Sequence, residues 1–478
     1  MALTQYRIPR FFGIHQGICE NAMDGGDSPD ACNMDTTGCN LAVAKGYVHL
    51  SEAPLPEPDA AKRLFVWNRA DGPIFVAVTG DGIFKLGKND NVWESIWTYT
   101  GQTGSAAQID FQVLKIASTE FLLIANGVSQ MVKWDGVSQS AALFGSSEGL
   151  SDQPMAYAEV YYNRLFAAGN PDFPCRLYWS QAPGGTRTVE NWSVAEESEN
   201  VGGGHVEVGT DSDPITGIFA LSNQLVIFKR DSLYRLLGDR PSNFRIVPVN
   251  AAMRQPVHTS IIRYGDVLYF LTDRGLYYFD GQSVRRMSDA DKAGRFAAEA
   301  DLGQCVSAAC RDVLYFAVRE QPDATASDAV LTYDLNRGTY MIRRGFITRD
   351  LFSTGGNLYL LDGAGCICRF HEGDTYAGTP IDAYWNTPVT DLSNKIGNKH
   401  LQELYLRGSG GVVAVEARSG AGSTYYERIM PSIGSNVLEV PFSGDGRAFS
   451  LRFSNVNGSH FCMEGGVELL LDMQRRVL

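Results

Sequence analysis

A pattern of short strands separated by tight turns recurs along most of this chain and constrains its fold more than any other feature. The stretch "DVLYFLTDRGLYYFDGQSVRRMSD" (266–289) illustrates it. Val267 to Thr272 is rich in β-branched, aromatic and aliphatic residues, and Asp273-Arg274-Gly275 offers a turn in which glycine is free to take a positive φ. Leu276 to Phe279 then runs back, and Asp280-Gly281 turns the chain again. The stretch predicts a meander, which cannot bury its apolar face alone.

Seven stretches of the chain share this plan. They are residues 73–97, 121–145, 163–194, 223–249, 266–289, 312–346 and 357–376. Each carries an aromatic marker in its middle strand, and successive markers are separated by 50, 44, 56, 44, 55 and 37 residues. The markers are Phe84, Trp134, Tyr178, Tyr234, Tyr278, Tyr333 and Phe370. A period of about 40 to 50 residues is the size of one propeller blade.

One further strand candidate, rich in small residues, precedes each meander. These candidates are "KRLFVWN", "FQVLKIAS", "AYAEVYYN", "ITGIFALS", "TSIIRYG", "CVSAAC" and "RDLFST". Four strands per unit is the blade of a β-propeller, and radial closure covers the sheet edges that separate meanders would expose. The sequence therefore predicts an all-β fold with a β-propeller of about seven blades over residues 61–377. Six to eight blades are tolerated, with the N-terminal segment completing the first.

The chain on either side of the repeat has a different character. After about residue 378 the strands have longer loops, and the alternation in "HLQELYLRG" and "FSLRFSN" predicts a C-terminal β-sandwich-like domain over 378–478. Residues 1–60 are rich in Gly, Asp, Asn and Pro with one good strand, "NLAVAKGYVHL", and predict an extended N-terminal arm that packs on something else. Between two units, "SDADKAGRFAAEADL" (288–302) predicts an inserted helix with Ser288 as its N-cap.

Charge and cysteine usage narrow the functional classes. The formal net charge of −13 provides no global basic surface for nucleic-acid binding, although a negative wall lets DNA slide past without sticking. The opening "MALTQYRIPRFFGIHQG" lacks the apolar core of a signal peptide, and no stretch has the roughly 18 apolar residues of a membrane span. We expect a product that matures in a cytoplasm. The nine scattered cysteines do not suggest a disulfide framework, and we expect mostly buried thiols.

Metal-ligand patterns in the sequence are weak. The spacing of Cys19, Cys32 and Cys39, with His15 nearby, matches no compact zinc motif. The thiols of Cys366-x-Cys368 would point to opposite faces of a strand, which argues against a joint metal site. The loop "MDGGDSPDACNMD" gathers acidic residues, but they depart from the register of a calcium loop. These residues are Asp24, Asp27, Asp30 and Asp35. We predict an acidic, turn-rich segment there.

Catalytic patterns are weaker still. Neither a GxSxG elbow nor a GxxxxGK[ST] loop occurs, and "VGGGHVEVG" (201–209) predicts a flexible loop rather than a phosphate cradle. The Arg pairs of "SVRRMSD" and "YMIRRGF" fit solvated blade edges better than phosphate sites. We predict a protein that is not an enzyme, with no catalytic, cofactor-binding or metal-binding residues and no cofactor.

The organisation resembles the tail-tube and nozzle proteins of short-tailed bacteriophages, the packaged-DNA stabilisation proteins. Besides the repeat, two segments are similar to that family. The opening is "ENAMDGGDSPDACNMDTTGCNLAVAKGY", and the end combines "WNTPVTDLSNKIGNKHLQELYLRG" with "AFSLRFSNVNGSHFCMEGGVELLLDMQRR". The resemblance implies a structural component of the virion tail, assembled in the bacterial host cytoplasm, that forms a channel for genome retention and ejection.

The resemblance also implies partners. Copies of the chain would self-associate into a ring, expected to be a hexamer, between head-to-tail adaptor or portal proteins and tail fibres, spikes or a needle. Packaged DNA would pass through without sequence-specific binding, and the N-terminal arm would clip onto a neighbouring copy. No membrane segment is expected.

Two other classes of propeller remain open from the residues alone. A glycan-binding or glycan-processing propeller acting in host recognition would use exposed aromatic residues such as Tyr178, Trp179 and Trp192 to stack sugars, although aromatic residues in strands more often pack within blades. A regulatory protein-binding propeller is more remote, because the repeats lack the WD40 GH…WD spacing and the kelch double glycine.

Overall fold

The prediction of an all-β chain is confirmed. The computed structural model describes residues 2–37, 40–51, 53–57, 61–88, 91–99, 108–249, 256–392, 394–419, 428–429 and 437–473. Strands dominate these residues, and their pairing is antiparallel with few exceptions. The described residues include the 3-10 helices Glu20–Ala22, Pro241–Asn243, His258–Ser260 and Ala290–Ala293 and the α-helix Gly294–Glu299. No helix among the described residues is long and apolar enough to cross a membrane.

Five four-stranded antiparallel sheets follow one another along the chain, each with its strands in sequence order. The first contains Ala61–Arg69, Gly72–Thr79, Gly82–Leu86 and Trp93–Thr98. The second contains Asp110–Ile116, Thr119–Ala125, Val132–Trp134 and Ala142–Leu143. The third contains Tyr157–Tyr161, Arg164–Ala168, Arg176–Trp179 and Gly204–Glu207. The fourth contains Ile215–Leu221, Gln224–Lys229, Leu233–Leu237 and Arg245–Val249. The fifth contains Ile261–Tyr264, Val267–Thr272, Gly275–Phe279 and Val284–Arg286.

A nine-stranded sheet follows and joins the remaining units of the repeat. In spatial order it contains Asp301–Cys310, Val313–Arg319, Ser327–Asp334, Thr339–Thr354, Asn357–Asp362, Ile367–Phe370, Tyr47–His49, Thr375–Tyr376 and Thr379–Pro380. The first half of Thr339–Thr354 pairs with Ser327–Asp334, and its second half pairs with Asn357–Asp362 after a register shift near Asp350. One long strand therefore ends one four-stranded unit and begins the next.

The chain closes this last unit with a strand from its own N-terminal segment. Tyr47–His49 pairs antiparallel with Ile367–Phe370, so residues more than three hundred positions apart lie side by side. We call this last four-stranded unit the closing sheet. It contains the second half of Thr339–Thr354, then Asn357–Asp362, Ile367–Phe370 and Tyr47–His49. The N-terminal segment does complete a unit of the repeat, as expected. The unit that it completes is the last one, whereas the expectation was the first.

Apolar packing connects each sheet to the next and the closing sheet back to the first. The rings of Trp67 and Trp134 meet between the first two sheets at 6.3 Å, and Phe228 and Phe270 meet at 5.8 Å between the fourth and fifth. A cluster that includes Val66 of the first sheet and Leu361 of the closing sheet completes the circle. Consecutive four-stranded sheets that return to their starting point form a β-propeller.

The residues after 380 form two sheets, to which the N-terminal segment contributes strands. One sheet contains Ala2–Ile8, Met34–Asp35, Leu41–Val43, Lys399–Gly410, Leu438–Gly446 and Phe461–Met473. The other contains Ala31–Cys32, Tyr384–Asn386, Val413–Ser419, Arg428–Ile429 and Phe449–Asn455. Ala2–Ile8 runs alongside the second half of Phe461–Met473 over its whole length. The N-terminal segment is therefore not an extended arm but part of the chain's own sheets.

Three local predictions need correction. The single strand "NLAVAKGYVHL" is two strands, Leu41–Val43 and Tyr47–His49, in different sheets. The chain turns between them at Gly46, where a Cβ would lie 1.9 Å from the Thr375 carbonyl oxygen. The helix expected over 288–302 is shorter, because residue 301 begins a strand and Ser288 is not its N-cap. The glycine-rich segment 201–209 contains the strand Gly204–Glu207 rather than a loop.

Candidate functional site: the polar axis and the closing seam

Several of the first strands of the sheets carry charged side chains. These strands contact one another around the axis of the propeller, for example Ala61–Arg69 against Thr339–Thr354. We call their charged and polar residues the polar axis. Two pairs of acidic and basic side chains lie there, Arg63 with Asp350 and Glu159 with Arg263. Asp110 also lies there and faces His258, which belongs to the 3-10 helix before the fifth sheet. Because buried charges are costly unless paired, these contacts favour one arrangement of the sheets around the axis.

Asp350 is a fully buried member of the polar axis, with 1% of its surface exposed. Its Oδ2 accepts hydrogen bonds from Arg63 Nε at 2.9 Å and from the backbone N–H of Leu64 at 2.6 Å. Its Oδ1 accepts the backbone N–H of Leu351 at 2.9 Å. Burial raises the pKa of the Asp350 carboxyl, and Arg63 and these hydrogen bonds oppose that effect. The carboxylate joins the first sheet to the closing sheet at the axis.

A second group of axial charges lies across the second to fifth sheets. His258 Nε2 is 3.4 Å from Asp110 Oδ1, and Asp110 Oδ2 accepts the backbone N–H of Ala158 at 3.0 Å. Arg263 contacts Glu159 at 3.3 Å. Burial raises the pKa of Glu159 to about 7; Arg263 lowers it and Asp110 raises it further. The raised pKa of Glu159 places its titration near neutral pH.

This pKa predicts how stability depends on pH. The folded pKa of Glu159 lies above its ordinary value of 4.5, so its contribution is fully present below pH 4.5 and is lost as the pH rises through about 7. The loss is on the order of 3 kcal/mol at most. Glu159→Gln keeps the side chain neutral, and we expect it to match the wild type at pH 4 and to exceed its free energy of unfolding at pH 8.

Urea unfolding at the two pH values measures this difference. Glu299→Gln is the matched control, because Glu299 lies on the exposed helix face beside Arg295. If the free energy of unfolding changed with pH by the same amount in the wild type and in Glu159→Gln, the raised pKa of Glu159 would be contradicted.

A polar cavity of about 470 Å³ opens beside the Arg63 end of the polar axis. Among the described residues, its lining contains three cationic side chains and no aspartate, glutamate, cysteine or histidine. It consists of Ala61, Lys62, Arg63, Gln108, Ile109, Thr259, Gly303, Gln304, Val306, Thr325, Ala326, Ser327, Thr348 and Arg349. Among the described residues, the lining of this cavity therefore offers no carboxylate pair for general acid–base chemistry and no histidine to activate a hydroxyl nucleophile.

The second site is the seam where the N-terminal strand closes the propeller. His49 lies opposite Cys368 in the register of the two strands. His49 Nε2 is 2.9 Å from Asp362 Oδ2, and Cys368 Sγ is 3.7 Å from the same oxygen. We call His49, Asp362 and Cys368 the seam triad. Burial, followed by the charge of Asp362, raises the pKa of the Cys368 thiol, which argues against a nucleophilic thiolate.

The seam triad escaped sequence analysis because its members come from distant segments. The argument that Cys366 and Cys368 would not share a metal considered the two cysteines only with each other. Cys368 instead meets a histidine from a strand of three residues. A pairing between "GYVHL" and "CICRF" was the available signal, but neither segment is long enough to predict its partner.

Among the described residues, those that the sequence suggested as metal ligands do not come together as a group of three. Cys19 is exposed, Cys32 is buried, and Cys39 lies outside the described residues. His15 is instead 3.0 Å from Asp27. The other acidic residues of that loop also have protein partners: Asp24 accepts the N–H of Gly26, Asp30 accepts the hydroxyl of Tyr384, and Asp35 accepts the N–H of Thr37.

The two Arg pairs have different surroundings. Arg285 and Arg286 are exposed on the outer strand of the fifth sheet, as expected of a solvated edge. Arg344 instead forms a bidentate pair with Glu320, and Arg343 is buried. The N-terminal segment covers this strand, because the side chain of Asn33 bonds to the backbone of Arg344. The prediction of a solvated edge is therefore wrong for the second pair.

The aromatic residues proposed as sugar platforms are packing residues. Tyr178 and Trp192 are buried, with their ring centroids 5.7 Å apart. Trp179 packs edge-on against Phe244 at 5.4 Å. Close approach to tryptophans also explains two glycines of segment 201–209. A Cβ at Gly203 would lie 2.4 Å from the backbone of Trp192, and one at Gly204 would lie 2.7 Å from the ring of Trp179.

Comparison with known proteins gives no functional assignment. No protein-family model and no curated protein matches the chain. Among solved structures, BamB from Moraxella catarrhalis has 10% identity and a TM-score of 0.38, covering 78% of this chain and 98% of its own. YCF48 from Cyanidioschyzon merolae has 12% identity and a TM-score of 0.42, covering 69% and 98%. The computationally designed Ika8 protein has 9% identity and a TM-score of 0.41, covering 77% and 100%.

Proposed function

We propose that this chain is a structural component of the tail of a short-tailed bacteriophage. It would be a seven-bladed β-propeller with a C-terminal two-sheet domain, and copies of it, six in the simplest case, would form the nozzle ring below the head-to-tail connector. The ring would surround the channel through which the genome is retained and ejected. Adaptor or portal proteins would contact one side, and fibres, spikes or a needle the other.

The observation that carries the proposal is the pairing of the two ends of the chain. The opening and closing segments that resemble nozzle proteins are adjacent strands: Ala31 pairs with Trp385 and Leu41 with Met463. The same N-terminal segment then supplies the last strand of the propeller. Propeller and C-terminal sheets are thus tied together by one continuous segment, which suits a part that must resist the pressure of packaged DNA.

The mechanism would be mechanical. Apolar clusters fill the contacts between adjacent sheets, and a closed propeller packed in this way would resist deformation. Identical copies would close a ring through one heterologous contact. Because the N-terminal strands pair within the chain, contacts between copies would use other surfaces. A formal net charge of −13 would keep a channel wall from binding DNA tightly.

Disruption of the gene in the phage that encodes it tests this proposal. We expect DNA-filled heads to assemble, to lack the lower tail and to lose their genome, with infectivity reduced by several orders of magnitude. Expression of the chain in trans is expected to restore infectivity. Unchanged infectivity after disruption would contradict the proposal, as would turnover or binding of a glycan by the purified chain in a hydrolase assay or array screen.

A further inference from the structure

Three potential metal ligands converge at the closing seam, in an arrangement that is independent of the proposed tail function. One ligand atom from each of His49, Asp362 and Cys368 lies within 4.8 Å of the other two. They come from three strands or strand ends: the N-terminal strand, the end of Asn357–Asp362 and the strand Ile367–Phe370. We propose that the seam triad binds a zinc ion, with water in the fourth position.

The donor set favours zinc over magnesium and calcium. An imidazole, a thiolate and a carboxylate together suit zinc, whereas magnesium and calcium prefer oxygen ligands alone. Zinc lies about 2.0 to 2.3 Å from such ligands, so tetrahedral ligand atoms are roughly 3.3 to 3.8 Å apart. The Asp362–Cys368 separation of 3.7 Å already falls in this range. The His49–Asp362 separation of 2.9 Å needs to widen by roughly half an ångström.

The carboxylate is oriented for this role by its own turn. Asp362 Oδ1 accepts the backbone N–H groups of Ala364 at 3.0 Å and Cys366 at 2.8 Å. Its Oδ2 therefore faces His49 and Cys368. Hydrogen bonds that fix the orientation of a ligand are typical of metal sites.

Two ligands of the seam triad are held in the interior, and the third is open to solvent. The Cys368 thiol is fully buried and Asp362 nearly so, whereas 37% of the His49 side chain is exposed. An ion can therefore reach the site past the imidazole. Coordination would release the thiol proton to solvent, and the ion would join residue 49 to residues 362 and 368. Zinc would thus stabilise the strand that closes the propeller.

Cobalt(II) titration of the chelator-treated full-length chain tests the site, because a cobalt–thiolate bond has a near-ultraviolet charge-transfer band. We expect one equivalent of cobalt to produce the band and zinc to abolish it. Cys368→Ser should remove the band. His49→Gln, a change at a partly exposed position, should weaken zinc affinity by more than about 100-fold, since loss of even an outer-shell partner costs 10- to 100-fold.

Cys305→Ser is the matched control, because Cys305 is also a fully buried thiol but is not a member of the seam triad. It should keep the cobalt band and its stoichiometry. A folded wild-type chain that gives no band, or a band that persists in Cys368→Ser, would overturn the proposal. In that case the triad is a hydrogen-bonded clasp without metal. Restored phage infectivity is a separate readout, so either proposal can fail alone.

Discussion

Replacing Phe11 with alanine is expected to lower the free energy of unfolding of the isolated chain by about 3 to 5 kcal/mol, the usual cost of removing a buried aromatic side chain. Phe11 has 1% of its surface exposed. Its ring packs edge-on against Trp385 at 5.5 Å and Phe453 at 6.1 Å, both from the C-terminal sheets. The loss should be visible in chemical unfolding at concentrations where the protein is monomeric.

The neighbouring residue supplies the control. Phe12 is only partly buried, with the Arg10 guanidinium 4.4 Å above its ring. Phe12→Ala should therefore cost clearly less than Phe11→Ala. Equal small effects would mean that residues 9–12 do not pack on the C-terminal sheets in solution. The N-terminal segment would then be free for contacts with another copy.

Asp350→Ala is expected to destabilise the chain by a similar amount, about 3 to 5 kcal/mol. The substitution leaves the N–H groups of Leu64 and Leu351 without their acceptor and removes the ionic partner of Arg63. Asp350→Asn retains a side-chain oxygen and should cost roughly half as much or less. Urea unfolding followed by tryptophan fluorescence measures both variants.

A surface ion pair calibrates that measurement. Lys45 and Asp374 are 2.5 Å apart with more than half of each side chain exposed, so Asp374→Ala should cost about 1 kcal/mol or less. If Asp350→Ala costs no more than Asp374→Ala, the first sheet and the closing sheet do not depend on this axial carboxylate for their contact.

The strands of the repeat were predictable because local chemistry determines them. All seven strand candidates that precede the meanders are strands, and all seven aromatic markers lie in the third strand of their unit. The turn at Gly275, with φ of +99°, is the positive-φ turn that "TDRGL" indicates. In such segments, β propensity and turn residues agree with the tertiary fold.

Closure was not predictable in the same way. Tyr47–His49 is too short for its pattern to be decisive, and its partner is more than three hundred residues away. Gly203 and Gly204 suggested a loop, yet they serve close packing against Trp192 and Trp179. The seam triad and the polar axis are likewise products of the circular arrangement. Sequence periodicity predicts the repeat, but it does not identify which groups meet when the circle closes.

The most direct test of the proposed function is cryo-electron microscopy of the particles produced by the phage that encodes this chain. Density for the chain should form a ring around the DNA channel below the connector, with the propeller closed by residues 47–49 of the same copy. Absence of the chain from the particles, or its presence only as a peripheral receptor-binding appendage, would contradict the account.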